Sequence, residues 1–377
     1  MFQNRDFISA AQFRRLIYLV MLPVTVRTMS SRLADTAGGA GWLAPLAAIP
    51  VTLLTVWMIL RLISPRDGRW RGMAEVFCEV LGPVAGRILS LCYLAWLLVL
   101  ASYVLRLYGE RFLSSIYEHM TLAPFLVILL LVSAWILHGS FAALARVNQI
   151  FFVVLVVMLL AVLLLSLEGV ELTMVLPVRG RDLLPVGRAA VSVLNVIALS
   201  FYTSFLAGGI RARDSGSMGR VMCCEGGFCL FAALFQFVVT GNYGAGLAGR
   251  IELPLFTLSK QIRILGAFQR MESISISLWI FTDLILLCTI LFACCAILQK
   301  VCGMADGRSA GLPLVLLLLA GAYLIAGDAF ALEAFARHFA QYVNAAMGLA
   351  VPILIFAIKV IRDRRRTKLP REERKKP

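Results

Sequence analysis

The stretch LIYLVMLPVTVRTMS, residues 16–30, decides the fold. It begins as an apolar helix of the kind that crosses a lipid bilayer, and it then meets Pro23. A proline inside a helix removes one backbone hydrogen bond, and in lipid this loss is tolerated only where protein groups or a water-filled cavity replace the bond. Residues 16–30 are therefore either a packed proline kink or one wall of a solute-binding site.

Composition places the rest of the chain in the membrane as well. The 377 residues are 60% hydrophobic and only 15% charged, and their mean hydropathy is +0.88. A soluble core does not need this much apolar surface, so the excess must face lipid. We therefore predict an all-α polytopic membrane protein, in which the first span stays as an anchor because no small-residue cleavage site follows it.

Ten apolar segments, each near the ~20 residues that cross a bilayer, make up the predicted transmembrane domain of residues 1–362. They are residues 11–30, 41–63, 86–107, 121–138, 146–166, 189–208, 221–241, 273–299, 311–327 and 342–361. Ten spans divide into two sets of five, in which spans one and six are equivalent. Because inverted halves place a solute site between two broken helices near the bilayer midplane, we predict a five-plus-five inverted repeat with discontinuous helices 1 and 6.

The distribution of Lys and Arg predicts the orientation. The net charge is +15, and a basic tail, residues 363–377, directly follows the last span. If the N-terminus is inside, cytoplasmic segments hold two thirds of the 36 Lys and Arg residues. We therefore expect both termini in the cytoplasm, with the tail against anionic lipid headgroups. The tail has no aromatic residues for stacking on bases, so we do not expect nucleic acid binding.

Motifs for catalysis and metal binding are missing from the sequence. The nine cysteines lie mostly in apolar runs, without a CxxC pair and downstream partners. No hydrolase constellation, phosphate-cradling glycine loop or metal-ligand spacing is visible. We therefore expect no metal, no cofactor and no enzymatic activity.

Candidate ligand-binding residues in span one surround the proline: Pro23, Val24, Thr25 and Thr28. If the helix opens at residues 22–24, free backbone N–H and C=O groups become available to the carboxylate and amine of an amino acid-like ligand. The alternative is a packed kink whose threonine hydroxyls bond back to the helix. The stretch contains no glycine, which argues against unwinding.

Spans three and six supply further polar candidates. They are Tyr103, Asn195, Ser200, Tyr202 and Thr203. Polar groups in lipid must find partners, so these side chains either bind a ligand or hold helices together.

Asp283 in span eight is the clearest ionisable residue at mid-membrane depth. Burial of its charge is costly, so we expect it to face the protein interior. There it either couples a proton or cation, or serves as a structural counter-charge for an arginine. Glu225 in span seven lies closer to the inner interface, where we expect it to reach water.

Two segments carry a family resemblance: GSFAALARVNQI, residues 139–150, and IELPLFTLSKQIRILGAFQRMESISISLWI, residues 251–280. The chain resembles the spore germination permease family, the B subunits of nutrient germinant receptors, within the amino acid–polyamine–organocation transporter superfamily. The resemblance covers nearly all of the chain and rests on the order of Gly139, Ala145, Arg146, Leu184, Pro185, Gly187, Pro254, Arg270, Glu272, Trp279 and Pro352.

The resemblance implies ten helices in a five-plus-five inverted repeat, with a site for a small nutrient, usually an amino acid, between helices one, three, six and eight. It implies A and C subunits as partners, a place in the cell membrane or spore inner membrane, and binding that triggers germination. Two features depart from the family: the span-one break lacks glycine, and span six lacks an acidic residue. A stand-alone secondary transporter for amino acids or amines is the alternative function, and a membrane scaffold without a ligand is a third.

Overall fold

The computed structural model describes residues 7–64, 69–115, 121–211, 218–251, 253–261, 271–304 and 306–368. Across these ranges the regular elements are helices, and no strand is present. The α-helices are α1 (Ala10–Val24), α2 (Ser30–Ala37), α3 (Leu43–Ile63), α4 (Met73–Leu81), α5 (Pro83–Ser115), α6 (Ala123–His138), α7 (Phe141–Leu165), α8 (Leu172–Val175), α9 (Leu183–Thr203), α10 (Met218–Ala248), α11 (Pro254–Gln261), α12 (Met271–Cys302), α13 (Gly311–Ile325), α14 (Ala329–Phe335), α15 (Gln341–Ala345) and α16 (Val351–Lys368).

The first span passes its proline without unwinding. After α1 the chain forms one π-helical segment, Thr25–Met29, and continues directly into α2. The Thr25 N–H reaches the carbonyls of Met21 and Leu22, and Nε of Arg27 donates to the Pro23 carbonyl at 2.7 Å. The predicted opening of helix 1 is therefore wrong. The wider turn and an arginine side chain satisfy the backbone groups near the proline.

The sixth span changes its turn type only at its end. α9 runs to Thr203 and tightens into a 3-10 segment, Ser204–Gly209, so the predicted mid-span break of helix 6 is also wrong. The Ile8 N–H donates to the Gly209 carbonyl at 2.9 Å, and the Arg211 N–H donates to the Ile8 carbonyl at 3.0 Å. These bonds join the start of α1 to the end of the sixth span at one face of the bundle, which we call the N-face.

Eight helical segments among the described residues are long and apolar enough to cross a membrane. The first of them, Ala10–Ile63, contains the first two predicted spans, and Ala123–His138 is a shorter apolar helix at the fourth. Each of the ten predicted spans falls on helical structure. The count of ten crossings, the inverted repeat and the domain boundaries at residues 362 and 363 stay predictions.

Burial separates a central pair of helical segments from peripheral ones. The apolar windows of Gly180–Gly209 and Trp279–Cys302 are 78% buried, whereas that of Phe141–Leu165 is 28% buried. Peripheral helices expose large apolar side chains, such as Trp135 at 78%. An apolar outer surface of this kind is stable in lipid but not in water. The protein is therefore an integral membrane protein whose sixth and eighth spans form the centre.

An amphipathic helix, α4, covers part of the N-face. Basic side chains bind the carbonyls at the ends of α3 and α4. Arg71 donates to Leu62 O at 3.0 Å, and Arg362 of α16 donates to Val80 O at 3.0 Å. Cations are favourable at helix C-termini. Residues 369–377 of the predicted basic tail lie outside the described residues.

Candidate ligand-binding site

Two adjoining cavities lie beside the π-helical segment of the first span. The smaller has a volume of about 90 Å³, and we call it the apolar chamber. The larger has a volume of about 460 Å³, and we call it the charged vestibule. They share Arg27, Thr28, Arg32, Tyr103, Leu107 and Ala336 as lining residues. The volume of the vestibule falls within the range of roughly 300–1,000 Å³ that small-molecule sites occupy.

The apolar chamber lies between the first, third, sixth, eighth and tenth predicted spans. Its wall is mostly aliphatic, with Val24, Leu100, Val104, Val196, Leu199 and Leu286 as contributors. Three side-chain amides, those of Asn195, Gln341 and Asn344, are among its polar lining residues. The chamber therefore combines a small apolar space with a few hydrogen-bonding groups, which is the usual chemistry of a specific small-molecule pocket.

The charged vestibule is richer in arginine than in acidic residues. Of its described lining residues four are arginines, namely Arg27, Arg32, Arg111 and Arg337. Two are glutamates, Glu110 and Glu333. Both glutamates already contact arginine: Glu110 lies 2.6 Å from Arg106, and Glu333 lies 2.8 Å from Arg337. The lining is therefore suited to an anionic group.

The Asp283 carboxylate forms ion pairs with two of the vestibule arginines. Its carboxylate lies 3.1 Å from Nη1 of Arg27 and 2.8 Å from Nη1 of Arg111, and it is 1% exposed. Nε of the same Arg27 donates to the Pro23 carbonyl, so the guanidinium is fixed between the preceding turn and the aspartate. This geometry matches the structural counter-charge alternative for Asp283, and a coupling role for this residue stays a prediction.

A hydrogen-bonded network reaches the wall of the apolar chamber through Asn195 and Asn344. Nε1 of Trp96 donates to the Tyr202 hydroxyl at 2.8 Å, and that hydroxyl donates to Oδ1 of Asn344 at 2.7 Å. Nδ2 of Asn344 donates to the Asn195 carbonyl at 2.8 Å. The network links α5, α9 and α15, so it couples the position of the tenth span to the wall of the chamber.

The tenth span borders the same cavities. It contains two π-helical segments, Ala336–Ala340 and Ala346–Ala350, on either side of α15. The Tyr93 hydroxyl donates to the Met347 carbonyl at 2.5 Å. Gly348 packs so closely on α9 that an added Cβ would lie 2.5 Å from the Ala198 Cβ and 2.8 Å from its carbonyl oxygen. The first of these π-helical segments supplies Ala336 and Ala340 to the chamber wall, so irregular backbone adjoins the site here as it does in the first span.

The structure brings together four of the residues that the sequence singled out and separates the others. Val24, Thr28, Tyr103 and Asn195 line the apolar chamber. Ser200 and Thr203 line a third, smaller cavity near the N-face. Pro23, Thr25 and Tyr202 line none of the three cavities. The Thr25 hydroxyl donates to the Met21 carbonyl at 3.1 Å, as the packed-kink alternative requires.

Sequence reasoning did not select the arginines that dominate the vestibule. Arg27 lies inside the opening stretch, but only its approach to Asp283 identifies it as part of the site. The available signal was the buried aspartate itself, since an ionisable residue within a span requires a partner. Within the described residues no group of three or more His, Cys, Asp or Glu side chains converges as a metal site would need.

A bundle of apolar helices around a charged cavity defines a permease-like integral membrane protein. Residues 7–328 match the family model described as Spore germination protein, and the chain belongs to this family. The resemblance noted in the sequence is thereby confirmed. A relative, Spore germination protein YndE of Bacillus subtilis (strain 168), is 22% identical over 284 residues, which cover 74% of this chain and 77% of the relative.

A solved structure shares the fold. The crystal structure of MhsT in complex with L-phenylalanine matches with a TM-score of 0.66 at 16% identity, over 94% of this chain and 89% of that chain. Family and fold together make this chain a germination-related, transporter-like membrane protein.

Proposed function

We propose that this chain is the membrane subunit of a spore germinant receptor, a binding and signalling protein rather than an enzyme. It binds a small amino acid-like nutrient across the charged vestibule and the apolar chamber. The observation that carries the proposal is the excess of arginine over acidic residues in a vestibule that adjoins a small aliphatic chamber.

The ligand carboxylate binds among the vestibule arginines. Arg32 donates to the uncharged Gln341 amide at 3.1 Å, and Asp283 is shared by two arginines, so these side chains have charge to offer an anion. A guanidinium presents a planar fork of donors that matches a carboxylate. Because the first span is not unwound, arginine side chains take the role that free backbone groups have in transporters with broken helices.

The rest of the ligand occupies the chamber. A volume of about 90 Å³ with an aliphatic wall accommodates a small apolar side chain. The ligand ammonium group lies nearest the two vestibule glutamates, each of which it shares with an arginine. The solved structure that shares the fold, 16% identical to this chain, contains L-phenylalanine, an amino acid with an apolar side chain.

The topology, the membrane location and the partner subunits in this proposal follow from the family and from the distribution of basic residues. Ten crossings in a five-plus-five inverted repeat bring the spans around the vestibule. The arginine-rich N-face, which holds the ends of α3, α4 and α16, is cytoplasmic, so both termini are too. The protein works in the spore inner membrane with receptor A and C subunits, its basic tail lies on anionic lipid, and nutrient binding triggers germination.

A stand-alone secondary transporter for amino acids or amines is the second candidate, because the fold is that of a transporter. Uptake of a labelled amino acid by proteoliposomes that contain this chain alone supports the transporter. Loss of germination on gene disruption, without such uptake, supports the receptor.

The binding proposal is tested with Arg32→Gln, and Arg181→Gln at an exposed loop position is the matched control. Purified protein is titrated with a panel of labelled amino acids and with their carboxamides. We expect Arg32→Gln to weaken amino acid binding about 10- to 100-fold, since a charge-assisted bond contributes ~1.5–3 kcal/mol. Binding of the carboxamide should change little. Equal affinity of the wild type and Arg32→Gln for every amino acid that binds would overturn the assignment.

A further inference from the structure

The third cavity contains a buried carboxylate with one oxygen atom that lacks a hydrogen-bond partner. Glu225 on α10 is 1% exposed, and its Oε2 atom accepts no hydrogen bond from any described residue. The hydroxyl of Ser204, which is 2% exposed and lines the same cavity, is also buried without a partner. Buried polar atoms without partners cost free energy, so two of them on residues that line one cavity mark it as a place for a small polar or charged ligand.

The cavity has the size and the oxygen atoms for a single small ligand. Its volume is about 20 Å³, which is enough for one water-sized group. Four oxygen-bearing side chains line it: Glu225, Ser200, Thr203 and Ser204. The remaining lining is apolar, from α1, α3 and α10, and the cavity shares no lining residue with the chamber or the vestibule. This cavity is therefore separate from the proposed nutrient site.

The electrostatics of the cavity favour a positive charge. The cavity lies where α9 passes into the 3-10 segment Ser204–Gly209, and Glu225 is a carboxylate among its lining side chains. Among the described lining residues there is no Lys, Arg or His to balance the glutamate. Two nearby thiols on α10 have other contacts: Cys224 Sγ donates to the Arg14 carbonyl at 3.8 Å, and Cys229 Sγ donates to the Thr52 hydroxyl at 3.9 Å.

We propose that Glu225 and the hydroxyls of Ser200, Thr203 and Ser204 form a site for one monovalent cation. The cation is either Na⁺, held by hard oxygen ligands, or a proton that converts Glu225 to the neutral acid. Either one supplies the single positive charge that the cavity lacks. The cavity packs against Phe13 and Ile17 of α1 near the Ile8–Ile210 contact, so its occupancy stabilises the junction between the first and sixth spans.

The test uses the full-length protein in lipid nanodiscs, with Glu225→Gln, Ser204→Ala and the exposed control Glu168→Gln. Melting temperatures are measured in sodium and choline buffers over a range of pH. If the cation is Na⁺, the Tm of the wild type and the control rises by a few degrees in sodium, and Glu225→Gln abolishes the rise. Ser204→Ala, which keeps the carboxylate, reduces the rise in Tm that sodium causes. It replaces Glu225→Gln as the test variant if Glu225→Gln does not fold.

If the cation is a proton, sodium has no effect and the wild-type Tm falls as pH rises, because the folded state binds the proton more strongly than the unfolded state. The infrared carbonyl band of a protonated carboxylic acid is then lost in Glu225→Gln and shifts in Ser204→Ala. Equal sodium and pH dependence in all variants, with no band change, would overturn the proposal. Amino acid titrations of the same samples report separately on the nutrient site, so the two proposals can fail independently.

Discussion

The Arg27 guanidinium lies 3.1 Å from the Asp283 carboxylate, although the two residues are 256 positions apart in the chain. Arg111 approaches the same carboxylate at 2.8 Å. One buried acid therefore joins the π-helical segment of the first span to α5 and α12, and it positions two arginines at the edge of the vestibule. The stability of the bundle and the charge of the site depend on the same residue.

Asp283→Asn should destabilise the protein and impair the germination response. The change leaves two buried guanidiniums without the carboxylate they share, and breaking a buried ion pair costs about 3–5 kcal/mol. Thermal unfolding of the purified protein and nutrient-triggered germination of spores measure the two effects. Asp35→Asn, at an exposed position, is the matched control. Wild-type stability and a normal response in Asp283→Asn would show that the ion cluster is dispensable.

The sequence was sufficient to identify Asp283 as an interior charge but not to find its partners. An acid within an apolar span is visible from local pattern, whereas Arg27 and Arg111 lie 256 and 172 residues away. The burial of Glu225 was harder to predict from the sequence. Its position near the end of span seven suggests contact with water, but the packing of α1, α3 and the sixth span buries it.

For the backbone, too, local sequence predicts some features, and others depend on contacts that only the fold creates. Periodicity and apolar length were sufficient to predict the helical segments, because lipid forces each span to satisfy its own backbone hydrogen bonds. The predicted break at Pro23 failed because a π-helical segment and the Arg27 side chain satisfy the backbone groups near it. Local sequence shows the proline but not the π-helical turn that follows it or the arginine side chain that bonds to its carbonyl.

Tyr202→Phe should destabilise the tenth span more than it alters ligand selectivity. The change removes the hydroxyl that accepts from Trp96 and donates to Asn344. Interhelical hydrogen bonds in membranes contribute about 0.6–2 kcal/mol each. We expect a lower Tm and amino acid affinities that fall together without a change of rank. Tyr323→Phe, on an exposed ring, is the control. A change in the rank order of ligands at unchanged Tm would instead place Tyr202 in the site.

Gly348→Ala should push the tenth span away from α9. The new methyl group would meet the Ala198 Cβ at 2.5 Å and its carbonyl oxygen at 2.8 Å, and neither atom can move without its helix. Overpacking of this kind costs about 1–3 kcal/mol. Gly227→Ala is the matched control, since an added Cβ there meets nothing within 4 Å and alanine favours a helix. We expect a lower Tm for Gly348→Ala alone, and equal melting of the two variants would contradict the close packing.

Cysteine labelling should show that the N-face is cytoplasmic. Basic side chains gather at this face, including Arg71 and Arg362 at the ends of α3 and α4, and positive residues are retained on the cytoplasmic side. Cys302, at the N-face end of α12, is exposed. In a variant whose other cysteines are alanine, a membrane-impermeant maleimide should label Cys302 only after cells are permeabilised. In a cysteine-free variant that carries Arg181→Cys in the loop before α9, labelling should occur on intact cells. The reverse pattern would place the N-face outside and move the charged vestibule to the cytoplasmic side, where an external nutrient could not reach it directly.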